Sequence, residues 1–85
     1  MKHASSTTLG ALEPLLVRLR GVPGLTEKKL GVFYVKSSAY LHFHEDPAGL
    51  FADVKLSAKD FERFPVNTQR EQDALFTRVR AHRSR

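Results

Sequence analysis

The sequence predicts an α+β fold: one small domain in the order α-β-β-β-(short α)-α, with a three-stranded antiparallel meander packed against helices. Three observations lead there. Leu9, Leu12, Leu16 and Leu19 recur at helical spacing. Residues 39–44 and 50–56 alternate apolar and polar positions as half-buried strands do, and Glu45-Asp46-Pro47-Ala48-Gly49 between them has the acid, proline and glycine of a turn. Thr68 and Glu71 stand at capping-box spacing ahead of Leu75, Phe76 and Val79, the apolar stripe of a last helix.

Each element follows in order. Residues 1–8 are polar, rich in Ser and Thr and without apolar periodicity, and read as a flexible leader before a single domain over 9–85. The first helix becomes regular near Ala11, because Pro14 is tolerated in a first turn whose N–H groups lack partners. Gly21, Pro23 and Gly24 end it, glycine being suited to the left-handed cap. Residues 29–36, KLGVFYVK, are dense in β-branched and aromatic residues and predict strand one. Ser37-Ser38 connects it to strand two at 39–44, and strand three runs over 50–56. Ser57 caps a short helical turn through Arg63 that Pro65 closes, with Phe61 and Phe64 both facing the sheet. The last helix spans about Thr68 to His82.

With 85 residues there is room for one core, and the 41% hydrophobic content is that of a folding chain. A domain of this size buries roughly 60–65% of its unfolded surface, so a homodimer or a protein partner would add useful contacts. The chain has no cysteine, which excludes disulfides and thiolate metal sites and makes a cytoplasmic location the default expectation. Apolar runs such as Leu15-Leu16-Val17 and Val32-Phe33-Tyr34-Val35 are far too short for a membrane segment, and none is expected.

The alternation assigns faces in the region that carries chemistry. Leu41 and Phe43 point one way, with Leu50, Ala52, Val54 and Leu56 from strand three; Tyr40, His42 and His44 point the other way, beside Phe51, Asp53 and Lys55. The register that closes the hairpin most economically sets His44 opposite Phe51, His42 opposite Asp53 and Tyr40 opposite Lys55. The candidate binding residues are therefore Tyr40, His42, His44, Asp53 and Lys55. Two imidazoles and a carboxylate are the donors of non-haem iron and some zinc sites, which makes His42, His44 and Asp53 the metal candidates. Strand neighbours two apart lie about 6.5–7 Å from each other, so the side chains must converge to share an ion. The blander reading is a polar face with a His42–Asp53 cross-strand pair. An imidazole held by a carboxylate can move a proton, but no nucleophile accompanies it and no catalytic residue is assigned. Nor is a phosphate loop or cofactor fingerprint present, so binding outranks catalysis and no cofactor is expected.

The net charge is +5, and much of the excess sits at the C-terminus in Arg78, Arg80, Arg83 and Arg85. Those arginines suit phosphate contact, hence nucleic acid as an alternative partner, and equally suit a helix C-terminus through its dipole.

Two resemblances bear on this reading. The α-β-β-β-α order with a basic balance resembles double-stranded RNA-binding domains, but Ser37-Ser38 and Asn67-Thr68-Gln69-Arg70 stand where those domains carry their two RNA-contacting elements. Residues 21–82, with Gly21-Val22-Pro23-Gly24, His42-x-His44, an acidic glycine turn and Ala52-Asp53-Val54-x-Leu56, resemble the small family labelled "luciferase domain". That label is a naming legacy and implies no light-emitting reaction. The resemblance implies a His-x-His strand, an Asp-bearing next strand and a final helix. The chain departs from the family at Phe64-Pro65-Val66, where members often have Gly-Trp and a further histidine.

Overall fold

The computed structural model describes residues 2–57 and 59–84. Strand β1 (Lys2–His3) is followed by helices α1 (Ser6–Ala11) and α2 (Glu13–Arg20), then β2 (Thr26–Lys29), β3 (Val32–Val35), β4 (Ser38–Asp46), β5 (Gly49–Val54), β6 (Glu62–Pro65) and α3 (Gln69–Arg83). Strands β2 to β6 lie side by side in chain order, every pair antiparallel, and β1 pairs with the part of β4 that outlasts β3. The expected α+β meander is present, with five sequential strands rather than three.

Residues 2–8, read from the sequence as a leader, carry structure. Lys2 and His3 pair with Glu45 and His44, and the Ala4 N–H donates to the Phe43 carbonyl. Ser5 caps α1, its hydroxyl accepting the Thr8 N–H. The Glu45 carboxylate takes both the Ser5 N–H at 2.9 Å and the Thr8 hydroxyl at 3.0 Å, placing negative charge at the start of the helix and tying it to β4. What reads as an aperiodic Ser/Thr stretch is a helix cap.

The single first helix is two. Pro14 lies in the first turn of α2, where its missing N–H costs nothing, but it leaves the Gly10 carbonyl without a helical donor, so the chain breaks at Leu12. Gly21 caps α2 with φ −85°, and of the two glycines expected to end the helix it is Gly24, at φ +89°, that takes the left-handed conformation. The predicted strand at 29–36 is also divided. Leu30-Gly31 turns between β2 and β3, with Gly31 at φ +76°; a Cβ there would come within 2.6 Å of a Leu9 methyl carbon. Glu27 secures this turn by accepting the Gly31 N–H at 2.8 Å while pairing with Arg20 on α2.

Between Phe33↔Leu41 and Tyr34↔Ala39 the register of β3 and β4 shifts by one residue. The extra residue on β4 is a β-bulge, and it leaves adjacent Tyr40 and Leu41 both buried in the core. From Leu41 onward β4 and β5 pair without interruption: Leu41↔Val54, His42↔Asp53, Phe43↔Ala52, His44↔Phe51, Glu45↔Leu50, Asp46↔Gly49. Only Pro47 and Ala48 lie outside the ladder, the Ala48 N–H being held by the Asp46 carboxylate at 2.8 Å.

The short helix expected after Ser57 is instead strand β6, which pairs Phe51↔Pro65, Ala52↔Phe64, Asp53↔Arg63 and Val54↔Glu62. Ala58 lies outside the described residues. Alternation of Phe64 and Val66 toward the helices outweighs the local capping signal, and Phe61, three residues before Phe64, falls on the opposite face, 41% exposed. Asn67 extends the pairing, exchanging hydrogen bonds with Leu50 before Thr68 and Glu71 close the predicted capping box on α3.

The helices cover one face of the sheet. Leu12, Leu15, Leu16 and Leu19 meet Phe33, Leu41, Val54, Val66, Leu75 and Val79 in one continuous core cluster. Arg18 fixes α2 to α3 by an ion pair with Asp73 at 2.7 Å and by lying 4.3 Å over the Phe76 ring. The sheet's outer strands carry Lys28 and Lys29 on β2 and Pro65 on β6, residues that discourage edge pairing. No helix among the described residues is long and apolar enough to cross a membrane.

Two stability experiments test this packing. Leu41→Ala, at a fully buried position, should lower unfolding free energy by about 2–5 kcal/mol in denaturant titration. Truncation after Ala74 removes Leu75 and Val79 and should abolish the cooperative transition; a truncated chain that still unfolds cooperatively would show that α3 is dispensable.

Candidate functional site

The β4–β5 ladder places His42 and His44 on the face away from the helices, with Asp53 opposite His42 and Phe51 opposite His44. The expected register therefore holds, and so does the cross-strand neighbourhood of His42 and Asp53. The shorter of the two histidine contacts to Asp53 is diagonal: Oδ2 lies 3.1 Å from His44 Nε2 and 4.0 Å from His42 Nε2. Twist brings diagonal neighbours on one face within reach of long side chains. The two imidazoles meet edge to face with centroids 4.6 Å apart, closer than their backbone spacing, and the Phe61 ring lies 5.0 Å from His42 on its other side. One ligand atom from each of His42, His44 and Asp53 lies within 4.8 Å of the others.

β6 contributes a residue that sequence reasoning missed. Arg63, directly opposite Asp53, donates from Nε to Oδ1 at 2.9 Å and from its terminal nitrogen to Oδ2 at 3.2 Å. It was hidden by the reading of residues 57–63 as a helical turn. The signal that could have exposed it was the period-two spacing of Phe64 and Val66, which puts Arg63 and Pro65 on the histidine face. Arg63 also lies 5.9 Å over the Phe51 ring.

Burial raises the Asp53 carboxyl pKa, but the hydrogen bonds and charge of Arg63, with smaller contributions from His44 and His42, outweigh it and hold the group below its ordinary value of 3.8. Asp53 is thus a buried, ionised carboxylate at neutral pH.

Two members of the sequence-predicted set stand apart. Tyr40 is not on the histidine face: the bulge turns it into the core, where its hydroxyl meets His82 Nδ1 of α3 at 2.9 Å and its ring stacks on that imidazole. Burial raises its phenol pKa, and its role there is packing. Lys55 keeps the predicted backbone pairing, its N–H donating to the Tyr40 carbonyl at 2.8 Å, and its ammonium reaches the Phe61 ring at 6.0 Å, at the margin of the site. Of the C-terminal arginines, Arg83 and Arg78 both act through their charge on the Tyr40 phenol. Arg80 lies over Phe76 and Arg83 over Tyr40, covering core aromatics, while Arg78 is exposed and Arg85 lies outside the described residues. An open hollow of about 540 Å³ on the β2–β3 hairpin is lined by Lys28, Lys29, Leu30, Val32 and Tyr34, none of them a residue of the histidine site.

Comparison with protein-family models, with curated proteins and with solved structures finds no match to this chain.

The depressed carboxyl pKa has a measurable consequence. A group whose folded pKa is below its unfolded one contributes stability above the unfolded value and loses it as pH falls through the folded value. Asp53→Asn should therefore destabilise the protein at pH 7, and the gap between variant and parent should close as pH is lowered below 3.8. Denaturant midpoints measured from neutral to strongly acidic pH check this; a gap that stays constant would mean that Asp53 is not held ionised by its neighbours.

Proposed function

We propose that this protein is a small metal-binding module that takes one divalent ion of borderline softness, zinc(II) in the first instance, at His42, His44 and Asp53. The observation that carries the reading is the convergence of two imidazole nitrogens and a carboxylate oxygen to within 4.8 Å on neighbouring strands. Ligands on a tetrahedral zinc ion, with bonds of about 2.0–2.1 Å, stand about 3.3 Å apart, so the three groups need to close by roughly 1.5 Å. The pair at 3.1 Å is already there, and His42 is the group that moves. The mixed nitrogen and oxygen donor set suits zinc, cobalt, nickel and ferrous iron over calcium or magnesium. Arg63 holds the Asp53 carboxylate in place as an outer partner, and its charge keeps that ligand deprotonated. The motifs by which residues 21–82 resemble the luciferase-domain family include these three residues, in His42-x-His44 and Ala52-Asp53-Val54.

Three protein ligands leave a fourth position for a further group, which is the pattern of sites that bind or activate something else on the ion. The site is read as one of binding, because the fold supplies the donors and no accompanying nucleophile is identified.

Zinc titration followed by calorimetry and by the imidazole ring signals in NMR tests the assignment. Saturable binding of one ion should shift the His42 and His44 rings. His44→Ala should weaken it by at least about tenfold, since even outer partners of a metal ligand are worth about 10–100-fold. Binding that leaves those rings unmoved, or that survives His44→Ala unchanged, would refute the site.

A further inference from the structure

We propose that the metal-loaded site binds an oxyanion, the phosphoryl or carboxylate group of a small aromatic compound, held between the metal ion and the guanidinium of Arg63. This rests on the metal reading above and adds the class of ligand the ion recruits.

The argument begins with Asp53 Oδ2. It is the oxygen to which both histidines converge, at 3.1 and 4.0 Å, and it is also the weaker of the two acceptors of Arg63, at 3.2 Å against 2.9 Å for Oδ1. An ion that takes Oδ2 as its ligand therefore competes with the terminal nitrogen of Arg63 and leaves the Nε bond to Oδ1 intact. Arg63 stays anchored by one hydrogen bond while an N–H beside the ion loses its acceptor. An oxyanion is the group that fills the open position on the metal with one oxygen and takes the released N–H with another, the two-point geometry for which a guanidinium is suited.

Charge points the same way. Among the described residues, the carboxylates that act on Asp53 and Arg63 are Asp53 itself and, on Arg63 from farther off, Asp46; the cations at the patch are Arg63 and Lys55. With neutral imidazoles these cancel, so a bound divalent ion leaves the patch with two positive charges, which favours an anionic fourth ligand. Access is open on the side required: the Arg63 side chain is 48% exposed, whereas that of Asp53 beneath it is 11% exposed. The aromatic restriction comes from the flanks. Phe51 lies beside His44 under Arg63, and Phe61 lies against His42 at 41% exposure, so an anion seated at the ion has a ring surface on each side.

Cobalt(II) provides the experiment, because its visible spectrum reports both occupancy of the site and a change of coordination. Cobalt is titrated into the parent protein, and the loaded protein is then titrated with phenyl phosphate, with benzoate, and with benzyl alcohol as the neutral control. The expected result is a cobalt band that requires His44, a saturable change in that band with either anion, and none with the alcohol. Arg63→Gln should still form the His44-dependent cobalt band, at up to about 10–100-fold more cobalt because Asp53 loses its outer partner, and, compared at full cobalt loading, should lose at least about tenfold in anion affinity, the worth of one charge-assisted hydrogen bond. Arg63→Lys keeps the charge without the fork and should fall between them. Absence of any His44-dependent cobalt band overturns the metal reading and this inference with it. A band that forms normally but ignores both anions, or responds to them equally in parent and Arg63→Gln, overturns the anion inference alone.

Discussion

The uninterrupted ladder between β4 and β5 is the constraint on which the other features rest. Six consecutive cross-strand pairs are closed by a loop of only Pro47 and Ala48, which leaves no slack for an alternative register. A slip of one residue would turn Leu41 and Phe43 to solvent and bring His42 and His44 against Leu16 and Leu75. The hydrophobic cost of that inversion, several large side chains at about 1.5–3 kcal/mol each, pins the histidines to the outer face more firmly than any interaction among the histidines could. Their placement is a by-product of core burial. What they do there depends on what the neighbouring strand sets opposite them.

What the sequence concealed lies one strand further, in β6 opposite Asp53. Alternation within 41–54 was enough to read the register, the apolar face and the closeness of His42 to Asp53, because a period of two joined to a short turn admits few solutions. It was not enough on either flank. Tyr40 obeys the alternation in sequence but not in space, since the bulge opposite Phe33 and Tyr34 inserts one residue, and nothing in Ala39-Tyr40-Leu41 marks where a ladder will slip. Residues 57–63 carry a helix-cap signature, Ser57 with Asp60, that the structure uses as a local turn, the Asp60 N–H donating to Ser57 at 3.3 Å. Local capping preference is worth about 1 kcal/mol and yields to pairing of a whole strand along an open edge of β5. The cost of missing β6 was Arg63, a residue of the cluster contributed by a strand the sequence did not suggest.

The N-terminal segment shows the same competition in the other direction. Ser5 and Thr8 lack any apolar period, yet they start a helix because Glu45, 40 residues further on, supplies the carboxylate that receives the Ser5 N–H. Such a contact is non-local and cannot be read from spacing. By contrast the capping box of α3 is complete within four residues, and there the expectation and the structure agree. Legibility in this chain tracks how far apart in sequence the interacting groups lie.

On the proposed metal reading, Asp53 is where folding and binding would draw on the same atoms. A carboxylate this buried is tolerated because Arg63 satisfies both of its oxygens, and removing either partner leaves an uncompensated charge. A metal ion at Oδ2 must therefore displace part of an interaction that already stabilises the sheet, and its affinity is the difference between two favourable terms. Selectivity follows from that difference. An ion that gains little from imidazole nitrogen, such as magnesium, recovers too little to replace the guanidinium, while zinc or cobalt gains two nitrogen bonds in exchange for one hydrogen bond. On that reading the arginine that completes the site would set the threshold for what can bind beside it and, once displaced from Oδ2, would become a donor for the next ligand.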